Sequence, residues 1–197
     1  MLIPSFRIAV ILTVAALLSA CAQPARTSAM VVNVSAQTIL PEDSGLTNAV
    51  AVGTVTGGEA TNPIWTSQVG NPEFHQALSL SLQQHTMLAQ GDAPMTLQAQ
   101  LLQIDQPLIG FDMTVTATVA YKITNATGEQ VFNESVTVPY TATFSDAFVG
   151  AERLRLANEG AIRVNIKRFL ETLATQAKDD PARFGAPLVS GLRLNLS

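Results

Sequence analysis

The chain contains one cysteine, Cys21, in 197 residues. A single cysteine excludes an internal disulfide framework and any zinc site built from several thiolates. Charged residues are also few, at 13% of the chain against 47% hydrophobic residues, which is not the composition of a disordered protein. Since it has only 11 Lys and Arg and a net charge of −4, the chain lacks the basic character on which nucleic-acid binding depends.

The longest apolar run lies near the start of the chain, where residues 1–20 have the pattern of a secretory signal peptide. Arg7 is followed by an apolar stretch over residues 8–16, and small side chains precede Cys21. A segment of this kind is a targeting signal rather than part of the fold. Its last positions, Leu18-Ser19-Ala20-Cys21, resemble the lipobox of bacterial lipoprotein precursors.

The lipobox resemblance implies cleavage between Ala20 and Cys21, followed by acylation of the Cys21 thiol and of the new amino terminus, with palmitate among the acyl groups. Acyl chains hold a protein on a membrane because each buried methylene contributes about 0.8 kcal/mol. Ala22 stands where the enteric pattern has Asp for inner-membrane retention. The resemblance therefore implies an outer-membrane lipoprotein that faces the periplasm and carries no cofactor beyond its covalent lipid. An ordinary secretory signal with a chance cysteine is the alternative.

The rest of the chain is expected to form one domain with short flanks. Residues 21–30 follow the lipidation site with small, polar side chains and are predicted to be a tether that keeps the domain near the membrane. Residues 31–177 are predicted to be a single domain. Residues 178–197 are predicted to be a tail, in which the alternating segment 192–196 forms an edge strand or, alternatively, an exposed apolar tail for another protein.

Hydrophobic periodicity in this region predicts an α+β domain with the element order ββαβββα. Helices are predicted from Asn71 to about Gly91 and from about Gly150 to Gln176. The second helix has apolar positions on two sides, so we expect it to kink near Gly160 or to be buried on both sides, with a partner as one candidate cover. Strands are predicted over residues 30–34, 48–55, 95–104, 111–124 and 131–144. The expected fold is an antiparallel sheet of about five strands, including a long hairpin, covered by two helices.

No arrangement of residues points to catalysis or to a metal site. The glycine-rich segment 53–61 has no lysine to reach a phosphate, and it is interpreted as a turn. His75 and His85 are ten positions apart on one predicted helix, a spacing that places them on different faces, and His85 is interpreted as a buried core histidine. The sequence has no Gly-x-Ser-x-Gly motif, its paired acids lie in turn-like segments, and the hexapeptide repeats of a left-handed β-helix acyltransferase are absent. We therefore expect a protein that is not an enzyme.

Positive charge is concentrated in the second predicted helix. No Lys or Arg occurs between Arg26 and Lys122. The basic residues of the helix are Arg153, Arg155, Arg163, Lys167 and Arg168. In one interpretation they pair with acids of their own helix, as Arg155 would with Glu159. In the other, their exposed edge binds an anionic partner, such as lipid headgroups, lipopolysaccharide phosphates or an acidic protein face.

A second candidate interaction surface is the loop that carries the only tryptophan. Trp65 lies beside Ile64 in a polar segment that also contains Pro63. An exposed aromatic side chain of this kind can anchor an interface. Equally, Trp65 could fold back and cover the core.

Two hypotheses about function remain, with an enzyme as a distant third. The first is an accessory or binding subunit of an envelope assembly or transport system. The predicted layout of the chain is similar to that of small envelope lipoproteins. Among these are the accessory lipoprotein of lipopolysaccharide transport and the auxiliary lipoproteins of transport and cell-wall machines. The second is a lipoprotein that binds a small or lipidic ligand between sheet and helix, which predicts an apolar cavity under the hairpin. The expected partners are a membrane, an envelope protein or lipopolysaccharide, and no nucleic acid.

Overall fold

The computed structural model describes residues 22–62 and 67–185. The predicted signal peptide with Cys21, the loop with Ile64 and Trp65, and the predicted strand 192–196 lie outside these residues. Within the described parts of the chain, no helix is both long and apolar enough to cross a membrane.

A sheet of four strands forms the centre of the described domain, in the order β1-β2-β3-β4. The strands are β1 (Val50–Thr56), β2 (Met95–Asp105), β3 (Met113–Asn125) and β4 (Gln130–Ala142). β2, β3 and β4 form an antiparallel meander, whose β3–β4 pair is the predicted long hairpin. Strand β1 lies parallel to β2, because the chain between them crosses over through a helix instead of turning back in a hairpin. The expected α+β class is confirmed, whereas the expectation of five antiparallel strands is wrong.

Helices cover one face of the sheet. They are α1 (Thr27–Met30), α2 (Asn71–Gln84) and α3 (Gly150–Asp179), with short 3-10 turns at Ala36–Thr38 and Pro181–Phe184. Helix α2 ends before the predicted Gly91 because the chain turns away at Thr86, which has a φ of 56°. The side chains that alternate toward the helices are buried, and those on the opposite face carry hydroxyl groups that pair across strands, as Thr118 does with Thr137 at 3.0 Å.

The core between sheet and helices is filled by aromatic rings. Tyr121 of β3 stacks on Phe169 of α3 with ring centroids 4.2 Å apart, and Phe132 of β4 meets the same ring edge-on at 5.5 Å. The Tyr121 hydroxyl donates to Oδ1 of Asn165 at 2.8 Å, and burial raises the pKa of Tyr121 well above its usual value. The ligand-binding hypothesis expects a cavity at this interface, and packed rings occupy it instead.

Residues 22–38 lie against the helical layer and follow the groove between α2 and α3. The predicted strand over residues 30–34 is wrong, because no strand among residues 22–62 and 67–185 pairs with this segment: the Val32 N–H donates to Oγ of Ser81 on α2 at 3.0 Å. Ala25 and Met30 are buried. The segment predicted to be a tether is therefore packed on the domain from Ala22 onward, without an extended spacer.

Helix α3 is continuous from Gly150 to Asp179 and is buried on two sides. On the sheet side, Gly160 lies directly against the ring of Tyr140 on β4. A second side is covered by the N-terminal segment, where Arg26 donates to the buried Glu159 carboxylate and Arg163 donates to the carbonyl oxygen of Ala29 at 2.7 Å. Of the two expectations for this helix, two-sided burial is confirmed, and the second cover is the N-terminal segment of the same chain.

Candidate functional site

Two neighbouring loops at one end of the sheet expose a cluster of large apolar side chains. One loop joins β2 to β3 (residues 106–112), and the other joins β4 to α3 (residues 143–149). We call this cluster the apolar tip; its members are Leu108, Ile109, Phe111, Phe144, Phe148 and Val149. Ile109 is 87% exposed and Phe148 is 82% exposed, so most of each side chain faces solvent. Contiguous exposed apolar surface of this kind marks a site of interaction.

Arg153 of α3 joins the two loops from below. Its Nη2 donates to the carbonyl oxygen of Gly110 in the first loop at 3.0 Å, and its Nη1 donates to that of Ala147 in the second at 2.6 Å. Its guanidinium also lies 5.3 Å from the ring centroid of Phe144. Phe144 in turn contacts Phe111 and Phe148, with ring centroids 6.0 and 4.7 Å away. The tip is therefore a braced structure rather than two independent loops.

The only charged side chains within the two loops are carboxylates, Asp112 and Asp146. Asp112 accepts a hydrogen bond from the backbone N–H of Phe144 at 3.1 Å. Asp146 accepts hydrogen bonds from the backbone N–H and the hydroxyl of Thr143 at 2.7 and 2.8 Å, and these bonds lower the pKa of Asp146. Both carboxylates thus hold loop backbone in place, and neither loop presents a Lys or Arg beside the apolar side chains.

The first described residue, Ala22, lies at the same end of the domain as the apolar tip. Ala22 borders a surface cleft with Gly58 and Asn71, which follow β1 and begin α2. Because β1 is parallel to β2, the end of β1 is the end at which β2 leads into the tip loop. We call this the tip end of the domain and the other, where the β3–β4 turn lies, the turn end.

Hydrogen bonds connect the N-terminal segment to the base of the tip loop. The Ser67 hydroxyl donates to the carbonyl oxygen of Gln23 at 2.7 Å. Nε2 of Gln106, the first residue of the tip loop, lies 3.2 Å from the Ser67 carbonyl oxygen and 2.9 Å from Oδ1 of Asn158. Asn158 closes the network by donating to the same Ser67 carbonyl at 2.8 Å. Four segments of the chain are therefore fixed to one another at the tip end.

The basic residues that were predicted to form one surface on α3 differ in their exposure. Arg153 and Arg155 are buried, so their assignment to an interaction surface is wrong. Arg155 pairs with Glu152 and, at 2.8 Å, with the buried carboxylate of Glu159, as the first interpretation of the helix expected. Arg163 is half-buried, with its guanidinium 5.5 Å from the Tyr140 ring centroid.

Lys167 and Arg168 are the members of this set that reach solvent. Arg168 is 63% exposed, and each of the two side chains lies 3.7 Å from a carboxylate oxygen of Glu171. Glu171 thus places one negative charge beside these two positive charges. The surface that remains is small and mixed in charge.

Neither histidine belongs to a reactive cluster. His85 is buried; its Nδ1 donates to the Ser81 carbonyl oxygen at 2.6 Å, and its Nε2 lies 2.9 Å from the Thr38 hydroxyl. Burial lowers the pKa of His85, opposed by the bond to Ser81, so the interpretation as a core histidine is confirmed. His75 lies 3.3 Å from the Val52 carbonyl oxygen. Among residues 22–62 and 67–185, no group of His, Cys, Asp and Glu is arranged to hold a metal ion.

Sequence reasoning missed the apolar tip, although two signals were present. The pair Leu108-Ile109 follows Pro107 in the connection between two predicted strands, where polar residues are usual, and Phe111 begins the second of those strands. Phe144 was assigned to a strand face, and Phe148 fell just before a helix. Only the fold shows that these two apolar segments meet at one end of the sheet.

Comparisons with known proteins identify relatives by fold alone. No protein-family model matches the chain, and no curated protein matches its sequence. Among solved structures, a DUF330 protein from Xanthomonas campestris superposes with a TM-score of 0.54 at 10% identity, over 72% of this chain and 92% of that one. This likeness is one of fold. At such low identity it supports the α+β architecture and transfers no activity.

Two further solved structures are less similar. A candidate lipoprotein from Caulobacter crescentus CB15 has a TM-score of 0.49 at 17% identity, covering 70% of this chain and 96% of that one. A minor lipoprotein from Acinetobacter baumannii has a TM-score of 0.38 at 13% identity, covering 68% and 92%.

Proposed function

We propose that this chain is a lipoprotein of the bacterial cell envelope, acylated at Cys21, with its domain in the periplasm. Outer-membrane delivery is favoured because Ala22 rather than Asp follows the cysteine. In this proposal the protein acts by binding, as an accessory subunit of an envelope assembly or transport system, and not by catalysis.

The observation that carries the proposal is the position of the apolar tip relative to residue 22. A lipid on Cys21 would meet the domain at its tip end, because Ala22 is buried there and Ser67 donates a hydrogen bond to the carbonyl oxygen of Gln23. The same end carries the braced apolar side chains. A protein that works by contact is expected to display such a surface, whereas an enzyme is expected to display a polar pocket with shifted pKa values.

An accessory role also needs surface that stays free once the tip end faces the membrane. The turn end and the face of the sheet away from the helices meet this need. Threonines on that face form hydrogen bonds with one another between β3 and β4: Thr114 with Thr141 at 2.9 Å and Thr118 with Thr137 at 3.0 Å. A partner bound there would meet an ordered polar surface that projects into the periplasm.

Metabolic labelling with palmitate tests the anchor. The wild-type chain is expected to incorporate label and to fractionate with membranes, and Cys21→Ser is expected to lose both properties. Ser19→Thr, which keeps a small hydroxyl side chain next to the cleavage site, serves as the matched control and should retain the label. Normal labelling of Cys21→Ser would contradict the anchor.

The accessory role is tested by chemical cross-linking in intact cells, followed by capture of the tagged chain from detergent-solubilised envelopes. We expect one complex to recur with the wild-type chain and to be lost when Thr118 on the open sheet face is replaced by Arg. Gln83→Arg, at an exposed position on α2, is the matched control and should leave the complex intact. Recovery of the chain without any cross-linked partner would contradict the accessory role.

A further inference from the structure

We propose that the apolar tip inserts into the lipid surface that holds the acyl chains of Cys21, giving the domain a second, noncovalent membrane contact. The surface it fits is zwitterionic. This inference rests on the proposed function, because it takes Cys21 as the acylated residue. It adds an orientation: the tip end lies on the membrane, and the turn end faces away from it.

The first argument is the short connection between the acylation site and the tip. Cys21 is one peptide unit, about 3.8 Å between Cα atoms, from the buried Ala22. Gln23 is bonded to Ser67, and Ser67 to Gln106, from which the tip loop begins. A lipid held by Cys21 therefore brings this end of the domain to the bilayer.

The second argument is that the N-terminal segment is fixed to the domain and cannot serve as a flexible spacer between the domain and the membrane. Arg26, five residues after Cys21, is held by Glu159 through three hydrogen bonds of 2.8 to 3.1 Å. Ala29 is held by Arg163. With residues 22–32 fixed along the domain, the anchor restricts rotation as well as distance, so the tip faces the membrane persistently.

The third argument is the chemistry of the tip loops. Polar backbone groups are costly in an apolar phase unless they are paired within the protein. In the tip, Arg153 occupies the carbonyl oxygens of Gly110, Ala147 and, at 3.3 Å, Phe148. The outermost side chains, Leu108 and Ile109, are 85% and 87% exposed and project from a loop whose backbone is partly satisfied from below. This arrangement suits entry among lipid chains better than contact with water.

The charges of the tip select the kind of lipid. Proteins that bind anionic membranes present Lys or Arg beside their apolar side chains. Here the loops contain only Asp112 and Asp146 as charged residues, and Arg153 is buried beneath the Phe144 ring. An anionic surface would repel the two carboxylates, so the structure favours a zwitterionic one.

The test uses the acylated full chain reconstituted in phosphatidylcholine vesicles. Because acylation blocks the only native thiol, Ile109→Cys introduces one thiol for an environment-sensitive fluorophore at the tip. Ala126→Cys, at an exposed position in the β3–β4 turn, is the matched control at the turn end. We expect a blue-shifted emission, quenched several-fold by spin-labelled lipid, for the probe at position 109 and water-like emission at position 126.

Other outcomes would overturn the inference. Water-like emission at both positions would show that the tip stays out of the lipid. A shift without vesicles that rises with protein concentration would assign the tip to a second copy of the chain. A shift in native envelope vesicles but not in pure lipid would assign it to a protein partner. Stronger quenching after part of the lipid is replaced by phosphatidylglycerol would contradict the zwitterionic surface.

Failure of the anchor gives a separate result. If Cys21 is not acylated, the unsubstituted chain takes up the fluorophore, which contradicts the proposed function and this inference together. If the unsubstituted chain stays unlabelled and the probe at position 109 stays water-like, the inference alone is overturned. As a second measurement, Ile109→Asp should leave acylation intact and lower the yield of membrane-inserted label from a photoactivatable lipid several-fold.

Discussion

Arg26 donates three hydrogen bonds to the Glu159 carboxylate. Its backbone N–H donates to Oε1 at 2.8 Å, and its Nε and Nη2 donate to Oε1 and Oε2, each at 3.1 Å. Arg155 donates to the same Oε1 at 2.8 Å. The hydrogen bond to Glu159 raises the pKa of Arg26. The Glu159 side chain is 1% exposed and that of Arg26 is 54% exposed, so a buried carboxylate on α3 holds the start of the domain.

Glu159→Gln should therefore loosen the N-terminal segment. The substitution removes the negative charge that both arginines face, and it leaves the buried Arg155 with Glu152 as its carboxylate partner. Breaking a buried ion pair lowers the free energy of unfolding by about 3 kcal/mol, and the half-exposed position of Arg26 reduces this cost. Urea unfolding of the unacylated Cys21→Ser chain measures this cost. Glu171→Gln is the matched control, since its partners Lys167 and Arg168 are exposed, and it should cost less than about 1 kcal/mol. Equal costs for the two variants would contradict the conclusion that Glu159 holds the N-terminal segment in place.

Gly160→Ala should destabilise the domain, although alanine is the better helix former. An added Cβ would clash with Cδ1 and Cε1 of the Tyr140 ring, which packs against α3. The gain in helix propensity is about 0.5–1 kcal/mol, whereas overpacking costs about 1–3 kcal/mol, so the clash prevails. Gly91→Ala is the control because its Cβ would meet nothing within 4 Å. If thermal unfolding showed Gly160→Ala to be as stable as the wild type, helix and sheet would have to be less tightly packed than described.

Sequence patterns predicted the elements that depend on periodicity and missed the segment that depends on distant contacts. The β3–β4 hairpin and both long helices were found because alternating and helical spacing are local properties. Residues 30–34 have the apolar content of a strand, but they lie against the helices, where the Ser81 hydroxyl accepts a hydrogen bond from the Val32 N–H. Arg26 and Glu159 are 133 positions apart, and nothing in either local sequence pairs them.

The candidate site was less predictable than the fold. Five basic residues in one helix suggested a basic surface, but which side of a helix is exposed depends on what covers it. Here the covering segment is the chain's own start, which buries Arg155 against Glu159. The apolar tip needs two loops, separated by a complete hairpin, to meet at one end of a sheet. The apolar side chains of both loops are visible in the sequence, but only the topology brings the two loops together.

His85 should make stability fall as the medium becomes acidic. Burial lowers its pKa in the folded state, so below about pH 6.5 the unfolded chain binds a proton that the folded chain does not. Stability from this group is therefore complete above that pH and is lost as the pH falls toward the folded pKa. One group contributes at most about 1.4 kcal/mol per pH unit. Urea midpoints between pH 7.5 and 5.5 measure the effect.

Two variants assign this pH dependence to its source. His85→Gln should be less stable at pH 7.5, because Ser81 and Thr38 lose a well-placed ring, but its midpoint should change less between pH 7.5 and 5.5. His75→Gln, at a partly buried position on α2, is the matched control for the effect of a His-to-Gln substitution on stability at pH 7.5. An unchanged slope in His85→Gln would place the titrating group elsewhere.

Arg153→Lys should loosen the apolar tip while keeping its charge. A guanidinium reaches Gly110 in one loop and Ala147 in the other because its donors are fixed in a planar fork, and a single ammonium cannot hold both. Loss of one such bond to a charged donor costs about 1–3 kcal/mol. Hydrogen exchange in residues 106–112 and 143–149 should rise several-fold, with little change in β3. Arg168→Lys, at an exposed position where the guanidinium pairs with Glu171, should leave exchange in both loops as it is. If hydrogen exchange in both loops were unchanged in Arg153→Lys, the order of the tip would depend on its aromatic contacts and not on the hydrogen bonds of the Arg153 guanidinium.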